Sequence, residues 1–198
     1  MSPPILVNTS YEAPLPTLLI ASTDSIFIDD IDANHNYSVV SGINKPLEIS
    51  YLMRENKIFW VNQMLEFLMY DFQSTNKSKL FDLKFKPKWL TLDWLERSIY
   101  YIEENNDNFG SILNKIDLNY LDKNVIKTTE IFSTSAHISK IEVSPYTKKI
   151  YWIQTVDGLN HKIMYSNFNG TDIQEFFVPN DRKRRDASIG YCKCPTIE

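Results

Sequence analysis

Three aspartates, Asp29, Asp30 and Asp32, stand within four residues of one another in this 198-residue chain. Carboxylates at that spacing could hold a divalent cation or share a proton. Asp also favours strand ends and turns, where its side chain bonds nearby backbone N–H groups, and that is the expected role. His35, His137 and His161 are scattered, and Cys192 and Cys194 are the only cysteines, so the ligands for a metal site are too few. A C-x-C pair is too close to bridge itself comfortably, so both thiols are free or find partners beyond the chain. Serines are plentiful, but no G-x-S-x-G is present. No catalytic residue, cofactor or metal is expected.

Two other patterns concern modification. Four N-x-S/T sequons start at Asn8, Asn36, Asn76 and Asn169, all in segments expected to be turns or loops. Short patterns of this kind also arise by chance in an Asn-rich chain. The run Arg182-Lys183-Arg184-Arg185 has the R-x-K/R-R form that furin-like convertases cut, and an exposed segment is what a protease needs. A solvated charged loop or a nuclear-localisation patch fits the same residues.

The remaining candidates are surfaces. Trp60, Trp89, Trp94 and Trp152 could stack sugars, but their repeat positions place them in a core. Lys84, Lys86 and Lys88 alternate beside Phe85 and Trp89, as on one solvated strand face. A net charge of −4 gives no basic field for nucleic acid or anionic lipid. The hydrophobic share of 43% and aromatic share of 13% fit a folded, β-rich chain. No apolar run approaches the roughly 18 residues that cross a bilayer. The N-terminus lacks the basic and apolar regions of a signal peptide, which read alone favours the cytosol. With the sequons, the chain reads instead as a piece of a longer extracellular protein.

What would position these groups is a repeat. Asn56–Asn62 (NKIFWVN), Arg97–Glu103 (RSIYYIE) and Lys149–Gln154 (KIYWIQ) are three β-branched, aromatic runs suited to buried strands. Trp60, Tyr101 and Trp152 lie 41 and 51 residues apart. Fourteen residues before each, at Pro46, Pro87 and Ile138, an alternating strand opens. It ends in a turn at Arg54-Glu55-Asn56, Leu95-Glu96-Arg97 or Tyr146-Thr147-Lys148. Downstream come a third strand (Phe67–Phe72, Ile112–Leu118, Ile163–Phe168) and a weaker fourth (Lys79–Leu83, Thr128–Phe132, Ile173–Val178). Asp71, Asp117 and Asn167 take the same place in the third strands.

Four strands in roughly 40 to 50 residues make a β-propeller blade. The expected fold is all-β: antiparallel four-stranded blades at 43–83, 85–133 and 136–178, with a partial blade at 17–41. Leu18–Ser22, Ser25–Ile31 and Tyr37–Val40 supply that partial blade, and Ile5–Val7 is a candidate for its first strand. Residues 1–16 are a Pro-containing lead-in, and 179–198 a basic linker with a C-x-C-P tail. About three and a half blades cannot close a ring of the usual size, so the propeller is expected to be incomplete. A tight four-bladed ring is the alternative.

At the aromatic strands the chain resembles the YWTD (LDL-receptor class B) propeller family. Phe59-Trp60-Val61-Asn62, Tyr100-Tyr101-Ile102-Glu103 and Tyr151-Trp152-Ile153-Gln154 stand where that family has Tyr-Trp-Thr-Asp. Asp71-Phe72, Asp117-Leu118 and Asn167-Phe168-Asn169-Gly170 stand where it has Asp-Leu-Asp-Gly. The fourth signature position is Asn62, Glu103 or Gln154 instead of Asp, which puts the family's interblade Asp contacts in doubt. The degenerate copies look most like the propellers set between fibronectin type III domains in Sevenless/Ros-type receptor tyrosine kinases. No G-x-G-x-x-G, H-R-D or D-F-G is present, so the kinase itself is not in this chain.

The resemblance implies a non-catalytic extracellular segment of a plasma-membrane receptor, contacting a protein ligand or neighbouring domains, with the membrane reached only through the parent protein. It also implies that Cys192 and Cys194 pair with residues outside the chain. Loops Ser22–Asp24, Arg54–Lys57 and Leu95–Ser98 are the candidate binding loops. The alternatives are a propeller of an LDL-receptor-like or matrix protein, a propeller-scaffold hydrolase, and an intracellular scaffold.

Overall fold

The computed structural model describes residues 17–30, 35–105, 110–123, 125–156 and 160–176. The alternating β-branched and aromatic runs form fifteen strands. These are β1 (Thr17–Ala21), β2 (Ser25–Asp30), β3 (His35–Ser41), β4 (Pro46–Leu52), β5 (Lys57–Asn62), β6 (Glu66–Asp71), β7 (Asn76–Asp82), β8 (Pro87–Asp93), β9 (Ser98–Asn105), β10 (Gly110–Asp117), β11 (Lys127–Thr134), β12 (His137–Ser144), β13 (Lys149–Val156), β14 (Asn160–Asn167) and β15 (Gln174–Glu175). They pair as one three-stranded sheet, β1-β2-β3, and three four-stranded sheets, β4 to β7, β8 to β11 and β12 to β15. Every pairing is between antiparallel neighbours in sequence.

The sheets are the expected blades. Two short 3-10 helices, Met53–Glu55 and Leu118–Lys123, occupy turns that carried no helical period. The last strand is only Gln174–Glu175, shorter than the expected Ile173–Val178, and 177–178 lie outside the described residues. Ile5–Val7 and the rest of the lead-in lie outside them too.

The repeat extends to irregularities. One extra residue bulges from the outer strand at Val39, Leu80 and Ile131, and from the first strand at Leu47, Lys88 and Ser139. The first-strand set keeps the 41- and 51-residue spacing of Trp60, Tyr101 and Trp152 sheet for sheet. A bulge bends its strand and adds twist, so the second and third sheets, which carry both, are twisted at matching places. The first sheet departs once. Thr17 opposes Asp30 where Lys57 opposes Asp71, so β1 stands 40 residues before β5 while β2 stands 41 before β6.

The core lies between sheets. Period-2 alternation sends Trp60 and Ile58 onto Ile26 and Val40 of the first sheet and onto Ile43 of the linker that follows it. Phe59, Val61 and Phe67 pack against Leu90, Ile99, Tyr101 and Ile116 of the third. Tyr100, Ile102 and Leu113 pack against Ile138, Ile141, Ile150 and Trp152 of the fourth. In the second and third sheets the central aromatic pair therefore faces two ways, one ring to the preceding sheet and one to the next. The first strands β4, β8 and β12 lie side by side, so the sheets fan out from them. The two ends of the fan are less covered. Leu18 and Ile20 are exposed on the outward face of the first sheet. Tyr151, Ile163, Tyr165 and Phe176 stand half-buried or exposed on that of the last.

Candidate binding face

The turns joining first to second strands carry the most distinctive chemistry. Each needs one left-handed residue, and Asn56, Arg97 and Lys148 supply it with φ of 51°, 54° and 53°. Asn tolerates that conformation better than most side chains; Arg and Lys are uncommon there. Their placement has a use. Arg97 Nη2 donates to Glu55 Oε2 at 2.9 Å and Arg97 Nε donates to Glu55 Oε1, tying the third sheet to the second. One blade further on, Lys148 Nζ lies 3.4 Å from Glu96 Oε1, tying the fourth sheet to the third. Glu96 stands 41 residues after Glu55, and Lys148 stands 51 after Arg97. Burial pushes the Glu55 carboxyl up, but hydrogen bonds and charge from Arg97 and Lys57 outweigh it and hold the group below its ordinary value.

Over the same turns, the Arg54 guanidinium sits 4.7 Å from the Trp94 ring centroid, and Trp94 meets Tyr146 edge to face at 5.7 Å. Three successive sheets thus contribute one side chain each to a continuous surface. Met53 and Tyr146 are 74% and 80% exposed, and Leu95, next to Trp94 in sequence, is exposed too. Between the turn ends of β4 and β8 opens a cavity of about 500 Å³. Tyr51, Met53 and Arg54 line one side; Leu90, Leu92 and Trp94 line the other.

Of the three candidate loops, Arg54–Lys57 and Leu95–Ser98 meet through Glu55 and Arg97. Ser22–Asp24 does not join them. It links β1 to β2, and its Thr23 carbonyl accepts from Lys45 N at the opposite end of the strands. Sequence reading missed Met53 and Tyr146 because a solitary apolar turn residue has no periodic signal. The Glu55–Arg97 and Glu96–Lys148 pairs were legible in principle, as a Glu in one turn and a cation one position later in the next.

The signature residues are structural. Phe59, Trp60, Tyr100, Tyr101 and Trp152 are buried, and Tyr151 is half-buried. Asp71 Oδ1 accepts from Gln73 N at 2.8 Å, Asp117 Oδ1 accepts from Asn119 N at 2.9 Å, and Asn167 Oδ1 accepts from Lys149 Nζ at 3.0 Å. The fourth-position residues diverge. Asn62 accepts from Met64 N and Glu66 N, closing its own turn. Buried Glu103 accepts from Phe85 N in the linker between sheets and from Asn114 Nδ2; its carboxyl is pushed up by burial despite those bonds. Gln154 accepts from Trp152 Nε1.

Two sequons depart from the loop expectation: Asn36 is in β3 and Asn76 opens β7. Asn169 lies in a turn, exposed, and its Oδ1 accepts from Thr171 N and from the Thr171 hydroxyl. Asn8, Asp32, Arg182, Lys183, Arg184, Arg185, Cys192 and Cys194 lie outside the described residues. Asp29 and Asp30 are in β2, and among the described residues no group of His, Cys, Asp or Glu could hold a metal. Trp94 differs from the core role expected of it: it packs partly on the core while its ring carries Arg54 and Tyr146. Lys88 pairs with Glu104 and His137, Lys84 lies over Phe85, and Lys86 is exposed.

Fold and face together define an incomplete β-propeller, one three-stranded and three four-stranded sheets, the latter three fanned about β4, β8 and β12. It is similar to an oligogalacturonate lyase from Vibrio parahaemolyticus, with a TM-score of 0.63 and 12% identity over 80% of this chain and 48% of that one. It is also similar to an auxiliary nutrient binding protein from Bacteroides thetaiotaomicron, with a TM-score of 0.54 and 12% identity over 76% and 35%. At such identities the likeness concerns the fold alone. No protein-family model matches the chain.

Sequence relatives are more specific. The chain is 25% identical over 194 residues to the proto-oncogene tyrosine-protein kinase ROS of Gallus gallus, covering 96% of the chain and 8% of the relative. It is 24% identical over 198 residues to ROS of Mus musculus, covering 98% and 8%. It is 24% identical over 142 residues to the sevenless protein of Drosophila virilis, covering 71% and 5%. The relatives are receptor tyrosine kinases at low identity, and the chain spans less than a tenth of their length. Among the described residues, no helix is long and apolar enough to cross a membrane.

Proposed function

We propose that this chain is a non-catalytic extracellular propeller segment of a Sevenless/Ros-type receptor tyrosine kinase, acting in ligand binding and domain spacing. One observation carries the reading. The similarity to chicken ROS runs through 96% of the chain yet covers 8% of that protein, as expected of one module within a long receptor. The fan of sheets supports it: side chains meet in cores between sheets, and what they leave outside is a loop face suited to recognition.

In this reading Asn8, Asn36, Asn76 and Asn169 are candidate glycan sites, and Cys192 and Cys194 pair with residues elsewhere in the receptor. Arg182–Arg185 is a processing site that lets the receptor mature into two associated pieces.

The full-length transcript tests the parentage. It should encode fibronectin type III repeats and, downstream in frame, a tyrosine kinase domain. A reading frame that closes with neither would refute the proposal. For processing, a longer secreted form is compared with its Arg185→Ala variant; two identical uncut bands would sink that part.

A further inference from the structure

We propose that the cavity between the turn ends of β4 and β8 docks a protein segment that presents a large apolar side chain beside a carboxylate. The proposal rests on the receptor reading above and names the chemistry of the partner.

Charge complementarity selects the carboxylate. The other cations around this face each have a carboxylate partner: Lys57 and Arg97 share Glu55, Lys115 and Lys148 share Glu96, and Lys149 faces Asp172. Exposed Arg54 pairs with no carboxylate of the described residues and is held over Trp94. A guanidinium stacked on an aromatic ring keeps its in-plane N–H fork free, the geometry that grips a carboxylate with two bonds. A wholly apolar partner would bury that charge uncompensated, which is strongly unfavourable.

The apolar component follows from what surrounds Arg54. Met53 is exposed on a largely apolar opening of about 500 Å³, the size range of a built pocket, and exposed Tyr146 packs against Trp94 of its lining. Arg and aromatic residues at the centre of such a surface are the usual anchors of protein recognition, and an unbranched Met adapts to what enters. A small free acid would satisfy Arg54 and leave this surface wet.

The test uses the intact 198-residue chain with ¹³C-methyl methionine and ¹⁵N-indole tryptophan labels. The probe is an acetylated decapeptide of Gly and Ser with a central Glu-Leu-Phe. The Met53 methyl and Trp94 indole signals should move saturably while the other four methionines stay still. A Gln-Leu-Phe peptide, or the Arg54→Ser chain, should bind about tenfold more weakly or worse. No movement, equal binding of the Gln peptide, or indifference to Arg54→Ser overturns the proposal. If the peptide fails while the transcript encodes a receptor kinase, the docking site alone is wrong. If the transcript encodes neither kinase nor fibronectin repeats, the receptor reading is wrong whatever the peptide does.

Discussion

Glu55 of the second sheet and Arg97 of the third are joined by both carboxylate oxygens to one guanidinium, and the arginine reaches this position from a left-handed turn. The pair is partly solvent-accessible, which limits its worth to about 1 kcal/mol. The Glu55 carboxyl is held below its ordinary value, so its stabilisation is complete above the unfolded carboxylate range and fades as pH falls through the folded value. Glu55→Gln should lower the urea midpoint at pH 7, by an amount that shrinks toward zero below about pH 4. A difference that persisted at pH 3 would assign the loss to packing.

Glu48 on β4 has the opposite sign. Burial alone pushes its carboxyl up to about 7. A group raised in the folded state stabilises fully below its unfolded value, and that contribution is lost as pH rises through the folded one. Discounted for partial exposure, Glu48→Gln should add about 1 kcal/mol at pH 8.5 and almost nothing at pH 4. Parallel urea midpoints for both chains across that range would contradict the assignment.

The Tyr100 hydroxyl is buried without a hydrogen-bond partner among the described residues. Its ring packs with Phe168 between the third and fourth sheets. Burial, and after it the carboxylates of Glu96, Asp93 and Asp117, push the phenol above its ordinary value. Removing the oxygen removes an unmet desolvation penalty, so Tyr100→Phe should stabilise by about 1 kcal/mol. A loss on thermal melting would mean that the hydroxyl has a partner in solution.

Gly110 opens β10 where a Cβ would lie 2.1 Å from the Thr134 carbonyl oxygen of β11. That contact is with backbone, and no rotamer relieves it. Gly110→Ala should cost about 2–4 kcal/mol, read as a fall in urea midpoint. A substitution without effect would show that β11 can retreat.

Asn169 is a sequon well arranged for modification, exposed in a turn that Thr171 closes onto its side chain. Secreted from animal cells, the chain should shift on gels after glycosidase treatment, and Asn169→Gln should remove one step of that shift. An unchanged ladder would show the site to be unused.

The sheets were legible because the same strand pattern recurs, and a repeat can be aligned against itself. Trp60, Tyr101 and Trp152 fixed the frame, and Asp71, Asp117 and Asn167 fixed the third strand. The bulges at Val39, Leu80 and Ile131 were not legible, because an extra residue in a strand alters pairing without altering composition. Asn36 and Asn76 looked like loop residues because Asn favours turns; strand pairing overrode that local preference. The loop face was half legible: its turns were, but the meeting of Arg54, Trp94 and Tyr146 is a property of three sheets at once.

Leu18 and Ile20 at one end of the fan, and Tyr151, Ile163, Tyr165 and Phe176 at the other, are unlike surfaces. A body whose front and back differ has a direction, so copies meeting back to front repeat a single junction without having to close on themselves. Concentrated alone, such molecules would lengthen into strings rather than stop at pairs. A lysine in place of Ile163 should keep them single.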